Sequence, residues 1–200
     1  MIYNSFLQFQ TNITNVRTLS TIYSSLKSLA SGHDISDILR AQWFMAVSCL
    51  DYFVHNAVEE GILEIYQNKR TITEAFKKFE IPMENMQQIS TNPTDILWLK
   101  AIIHDKHGWQ SFQKSDKIPP VIKLISEKHL WDEIGKELNK SSKDIRDQLD
   151  LIVDRRNVIG HEADADRINL GQKNNITQND VEEVINFIEN LVNAMYEVIK

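Results

Sequence analysis

The residues best suited to chemistry lie in one segment, residues 150–164, which reads D-L-I-V-D-R-R-N-V-I-G-H-E-A-D. At its centre is an R-N-x-x-x-H string formed by Arg156, Asn157 and His161. Arginine carries a permanent charge on a planar fork of donors that suits a phosphate group. Histidine is the side chain that exchanges protons most readily near neutral pH. The combination suggests phosphodiester chemistry.

The motif is expected at the C-terminal end of a helix. A capping sequence at residues 141–144 precedes apolar residues at helical spacing, namely Ile145, Leu149, Ile152, Val153 and Val158. Gly160 is a poor interior helix residue and is predicted to end the helix, which would leave His161 at a frayed terminus. Asn157 and His161 are four residues apart and share a face of the helix. Arg156 is five residues from His161, so its long side chain must reach around the helix to approach that face.

A second helix, predicted from about Ile35 to Tyr66, is apolar nearly all round in its middle and should be the buried central helix. Arg40, Asp51 and His55 fall within about 60° of one another on it at 100° per residue. A polar stripe on a buried helix needs partners. Asp51 either pairs with Arg40 or supports Arg156 or His161. His55 is either a hydrogen-bonded core histidine or a participant in catalysis.

The remaining segments also show helical periodicity. Apolar residues from Ile2 to Ala30 recur every three, four or seven positions, and short helical stretches are predicted between residues 68 and 138. A Thr177-x-x-Asp180 capping box opens a last amphipathic helix. With no competing strand pattern and no repeat, we expect an all-α bundle with additional short helices, organised as a single domain over residues 1–200.

Composition limits the possible functions. A net charge of −6 argues against a broad, sequence-independent nucleic-acid surface, yet it allows a local cationic cleft near Arg155, Arg156 and Arg167. The single Cys49 excludes an intramolecular disulfide framework. The N-terminus does not resemble a secretory signal, and the longest apolar run, residues 43–54, is too short for a membrane span. We therefore expect a cytoplasmic protein without membrane contact.

No cofactor or metal is predicted. His104, Asp105 and His107 have a spacing that begins some metal sites, but the sequence offers no evident fourth ligand, and closely spaced histidines are common on surface helices.

Four stretches in order show that the chain resembles the HEPN superfamily, most closely its RiboL-PSP type. An isolated R-x-x-x-x-H motif is weak, whereas the ordered set, which spans about residues 39–165, is specific. The resemblance implies an all-helical domain that acts as a metal-independent endoribonuclease, commonly as a dimer with two motifs at one cleft, in toxin or phage-defence systems. The stretches are LRAQWFMAVSCLDYFVH (39–55), FQKSDKI (112–118), LWDEI (130–134) and DRRNVIGHE (154–162).

Metal-independent RNA cleavage requires a base for the ribose 2′-OH, a cation for the charge on the phosphorane, and an acid for the leaving 5′-oxygen. We assign proton transfer to His161, phosphate stabilisation to Arg156, and the orientation of either His161 or the phosphate to Asn157. One chain supplies one motif histidine, so a partner subunit, water or His55 must complete the reaction. A non-catalytic HEPN-like module that binds nucleotides or RNA, or mediates assembly, is the alternative.

Further roles depend on the resemblance. Asp51 belongs to the matching stretches, which favours a supporting role near the motif, shared with His55 and Arg40. Arg155 is a candidate for RNA contact but is equally well explained as a solvated surface charge. Lys114 and Lys117 are further candidates for RNA contact. Many family members are restrained by an antitoxin that modifies a tyrosine two residues after the motif histidine; Ala163 occupies that position, which removes this form of control.

Overall fold

The computed structural model describes residues 2–29, 32–86, 91–92 and 95–200. Within these ranges no strand is formed, and the only β-type backbone pairing is an isolated antiparallel bridge between Ala165 and Lys173. The predicted all-α fold is therefore confirmed. The described helices are α1 (Ile2–Leu29), α2 (Asp37–Tyr66), α3 (Leu97–His107), α4 (Ile118–Ile122), α5 (Leu130–Leu138), α6 (Ser142–Glu162) and α7 (Gln178–Ile199), with 3-10 turns at Phe76–Lys78 and Met83–Asn85.

Helix α2 is the centre of the fold, as its apolar composition predicts. It packs against α1, α6 and α7 on its long sides and against α3 and α4 near its C-terminal half. Side chains such as Leu39, Leu50 and Phe53 are completely inaccessible to solvent. Because α2 is covered by other helices on several sides, a polar face on this helix would be buried without partners. Its middle is therefore apolar nearly all round.

Local capping residues explain where α6 and α7 begin. The Ser141 hydroxyl accepts a hydrogen bond from the Lys143 amide at 3.2 Å. The Thr177 hydroxyl and the Asp180 carboxylate cap one another's backbone amides, which confirms the predicted capping box. Each cap satisfies amide donors that a helix N-terminus leaves unpaired.

Some predicted boundaries shift or fall outside the described residues. Helix α2 begins at Asp37, two residues later than expected. Ala30, the last residue of the first predicted helical pattern, lies outside the described part of the chain. In the region of the predicted helices after residue 68, the structure describes the two 3-10 turns and helical backbone at Met86 and Thr91, with residues 87–90 not described. The predicted restart at residues 92–95 includes two residues outside the description, and α3 begins at Leu97.

The prediction that Gly160 ends its helix is wrong. Helix α6 continues through Gly160 and His161 to Glu162, and the left-handed residue that terminates it is Ala163, with a φ of 50°. A Cβ atom on Gly160 would lie 2.9 Å from Cε2 of Phe44. The glycine thus serves the close approach of an aromatic ring rather than a turn.

Among the described residues, no helix is both long enough and apolar enough to cross a membrane. Buried side chains from each of the helices α1 to α7 join one apolar cluster. The single-domain organisation stays a prediction.

Candidate active site

The last two turns of α6 carry the whole R-N-x-x-x-H motif. Arg156 and Asn157 are half-buried, whereas His161 is exposed. Nη1 of Arg156 donates a hydrogen bond to Oδ1 of Asn157 at 3.2 Å. Asn157 and His161 are one helical turn apart on the same face. The arrangement places a guanidinium, an amide and an accessible imidazole at one end of a single helix.

An aromatic ring from α2 lies against the motif arginine. The guanidinium carbon of Arg156 is 4.0 Å from the centroid of the Phe44 ring, which is the geometry of a cation–π contact. Nε of Arg156 is buried and has no hydrogen-bond partner among the described residues. Sequence reasoning assigned Phe44 to the core. The signal for its position was available, because Phe44 follows Arg40 by four residues and so extends the polar stripe of α2.

A cavity of about 380 Å³ opens beside the motif. Gly160 and Ala163, which flank His161 in the sequence, contribute to its wall. At its edge the ammonium group of Lys173 lies 2.6 Å from a carboxylate oxygen of Asp37. The rest of the lining is mainly apolar, from Ala41, Phe44, Met45 and Ile159.

The turn after the motif is held by a buried carboxylate. Asp164 is completely inaccessible, and one of its oxygens accepts hydrogen bonds from Nε of Arg40 and from Nη2 of Arg155, each at 2.8 Å. The other oxygen accepts a bond from the Asn174 side chain at 3.2 Å. Arg40 also donates to the Asn174 carbonyl at 2.7 Å. Two arginines thus neutralise one buried charge in the turn that follows the motif helix.

Residues 10–200 match the family model described as RiboL-PSP-HEPN. The chain belongs to this family. Comparisons with curated proteins and with solved structures gave no significant match. HEPN families often contain ribonucleases, so membership indicates an RNA-related function at a coarse level.

In this HEPN chain, Asp51 and His55 contact the loop that follows α3. The Asp51 carboxylate accepts hydrogen bonds from the Phe112 amide at 2.6 Å and from the Gln113 side chain at 3.0 Å. Nε2 of His55 lies 3.2 Å from the Gln110 carbonyl oxygen and 3.8 Å from the Asp51 carboxylate. Arg40 pairs with Asp164. The ion pair between Arg40 and Asp51, one of the two alternatives that the sequence offered for Asp51, is not formed. The direct contacts of Asp51 and His55 are with this loop rather than with the motif.

The family stretch at residues 112–118 connects two helices of the HEPN domain. The amide and hydroxyl of Ser115 donate to the Asp150 carboxylate of α6 at 2.8 and 2.7 Å. Its carbonyl accepts from the Trp131 indole of α5 at 3.0 Å. These bonds fix the loop against the middle of the motif helix.

The two lysines proposed for RNA contact differ in their surroundings. Lys114 pairs with the Asp154 carboxylate on α6, so it lies on the motif helix side of the loop. Lys117 is more exposed and lies 3.5 Å from Asp116. The contact of these two lysines with RNA stays a prediction.

The histidines near the end of α3 do not form a metal-binding group. Within the described ranges, no set of three histidine, cysteine or acidic residues has a suitable arrangement. His107 instead packs against the rings of Phe79 and Phe112. Burial, followed by the charges of His55 and Lys106, lowers the pKa of His107 below the ordinary histidine value.

Proposed function

We propose that this RiboL-PSP-HEPN protein is a metal-independent endoribonuclease whose reaction centre contains Arg156, Asn157 and His161. The observation that carries the proposal is the end of α6, whose last two turns carry a half-buried Arg156, hydrogen-bonded to Asn157, and an exposed His161. This combination provides a fixed positive charge and a group that transfers protons near neutral pH. Family membership independently supports an RNA-related activity.

In the proposed reaction, the ribose 2′-oxygen attacks the adjacent phosphorus while a base removes its proton. The bond from phosphorus to the 5′-oxygen breaks, and an acid protonates that leaving oxygen, which yields a 2′,3′-cyclic phosphate and a 5′-hydroxyl end. His161 transfers a proton, and Arg156 stabilises the charge on the non-bridging oxygens. The contact between Asn157 and Arg156 supports orientation of the arginine. DNA is spared because it has no 2′-hydroxyl.

The reaction needs an acid and a base, and one motif supplies one histidine. His55 is engaged with the Gln110 carbonyl and Asp51, which supports a source outside the chain. We propose a homodimer in which two motifs meet at one cleft. Exposed apolar side chains on the motif helix and on α2 would suit such an interface, namely Leu151, Met45 and Tyr52.

The test is cleavage of single-stranded RNA by the purified protein in excess EDTA. We expect cleavage by the wild-type protein and its loss in the His161→Ala variant. His104→Ala is the matched control, since His104 is also an exposed helical histidine but lies on α3. Equal activity of the wild type and His161→Ala would refute the assigned site, and activity that disappears in EDTA would refute the metal-independent mechanism.

The second candidate is a non-catalytic module that binds RNA or nucleotides, or mediates assembly. Each chain has one motif histidine, whereas the cleavage reaction needs both an acid and a base. A monomeric protein would therefore favour the non-catalytic module. Sedimentation analysis in parallel with RNA binding separates the candidates. A monomer that binds RNA through Arg156 without cleaving it would support the module.

We further propose that the protein acts in a toxin or phage-defence system, where an antitoxin or another partner would restrain it. Ala163 offers no hydroxyl for modification at the position two residues after His161. Restraint would therefore act through binding rather than through that modification. Expression of the wild type should arrest growth and expression of Arg156→Ala should not; equal growth with both would argue against a toxic nuclease.

A further inference from the structure

We propose that Phe44 is a positioning residue that orders the Arg156 guanidinium for the phosphate, and that Gly160 provides the space its ring occupies. The inference rests on the proposed ribonuclease function and adds two residues to that site. Phe44 lies on α2, whereas Arg156 and Gly160 lie on α6. The site is thus assembled between two helices rather than on one.

The contact restrains the arginine from one side. Its guanidinium carbon is 4.0 Å from the ring centroid, close enough for attraction between the cation and the negative face of the ring. From another side, Nη1 donates to Asn157. Nε is buried and Nη2 makes no hydrogen bond to a described residue. The guanidinium is therefore held by a ring and by one amide oxygen, and Nη2 forms no hydrogen bond within the described residues that would compete with a phosphate.

Gly160 has a specific steric reason to be glycine. It lies inside α6 and is absent from the positive-φ residues, so its backbone does not need glycine. Alanine is normally the better helix former. A Cβ at this position, however, would lie 2.9 Å from Cε2 and 3.5 Å from Cδ2 of Phe44. The ring would have to move, and with it the surface on which Arg156 rests.

Ordering the arginine before substrate arrives should matter to the rate. A free arginine side chain has many rotamers, and fixing them at the transition state costs conformational entropy. A small displacement of a positioning group can reduce a rate by roughly 100-fold. Loss of the ring should therefore lower kcat more than it raises KM.

The experiment compares Phe44→Leu, Phe44→Tyr and Gly160→Ala with the wild type in EDTA. Phe44→Leu should lower kcat by roughly tenfold to 100-fold with a smaller change in KM, and Phe44→Tyr, which keeps the aromatic face, should retain most activity. Gly160→Ala should lower kcat although it favours the helix. Phe76→Leu, a half-buried phenylalanine in a distant 3-10 turn, is the matched control and should leave kcat unchanged.

A double-mutant cycle on stability tests the contact itself. The shift in the urea midpoint for Phe44→Leu combined with Arg156→Met should be smaller than the sum of the single shifts. Additive shifts, or wild-type kcat in Phe44→Leu while Arg156→Ala is inactive, would overturn the inference and leave the proposed function intact. Absence of cleavage by the wild type would instead overturn the proposed function and the inference together.

Discussion

Nε of Arg40 donates to the buried carboxylate of Asp164 at 2.8 Å, across a sequence separation of 124 residues. This ion pair joins the start of α2 to the turn directly after α6. Arg155 donates to the same oxygen from within α6. The end of the motif helix is therefore fixed to the central helix by charge as well as by apolar packing, and the position of His161 depends on both.

Substitution of Asp164 by asparagine should unfold the protein more readily. Asparagine tolerates the left-handed backbone, whose φ is 59° here, so the change isolates the loss of charge. Two arginines would lose their buried counter-charge, for which we expect a loss of about 3–5 kcal/mol in the free energy of unfolding. Urea denaturation measures it. Asp154→Asn, which affects an exposed pair with Lys114, should cost about 0–1 kcal/mol; equal losses would contradict the role of Asp164.

Substitution of the adjacent arginines should affect different properties, stability for Arg155 and RNA cleavage for Arg156. Arg156→Ala should reduce RNA cleavage by about 100-fold to 1000-fold, as expected for removal of a group that stabilises transition-state charge. Arg155→Ala should mainly lower the free energy of unfolding, by about 1–3 kcal/mol, because it removes a hydrogen bond to a buried carboxylate. Cleavage kinetics and urea denaturation of both variants test this division of roles. A folded Arg155→Ala variant that loses more cleavage activity than Arg156→Ala would refute it.

The sequence was informative where structure depends on neighbouring residues. The caps at Ser141 and at Thr177 with Asp180, and the apolar faces of the long helices, follow from short-range periodicity and hydrogen bonding. The four family stretches make the R-N-x-x-x-H motif specific, whereas the motif alone is a weak signal. The all-helical class followed for the same reason.

Contacts between distant segments were not predictable in the same way. Gly160 was interpreted by a local rule as a helix end, whereas its role depends on Phe44, more than a hundred residues earlier. Asp164 and Arg40 gave no sign of pairing, because charge pairs between helices have no fixed spacing. Asp51 was expected near the motif, and its hydrogen bonds are made with the loop at residues 112–113.

Stability should fall as the pH decreases through the histidine range because of His107. Burial lowers its folded-state pKa below the ordinary value of 6.5, so the unfolded chain takes up the proton first. The contribution of the neutral ring is present above pH 6.5 and is progressively lost below it. Urea midpoints between pH 5 and 8 should show a weaker dependence in His107→Phe, which keeps the ring packing, and no such change in His33→Gln, an exposed control. Parallel profiles for His107→Phe and the wild type would contradict this explanation.

The lone cysteine should be unreactive in the folded protein. Cys49 is 7% exposed, and burial raises the pKa of its thiol to about 11. Since the thiolate is the reactive form, a thiol reagent at pH 8 should label the urea-unfolded chain rapidly and the native chain only through unfolding. Rapid stoichiometric labelling of the native protein would contradict the burial of Cys49 within the packing of α2.

The central claim is most directly tested with an RNA oligonucleotide that carries a single 2′-deoxyribose immediately 5′ to the mapped cleavage site. In excess EDTA, the protein should cleave the all-ribose oligonucleotide to a 2′,3′-cyclic phosphate and leave the substituted bond intact. The His161→Ala variant should not cleave the all-ribose oligonucleotide, and Arg156→Ala should cleave it about 100-fold to 1000-fold more slowly than the wild type. Cleavage of the 2′-deoxy bond at the same rate would contradict the account.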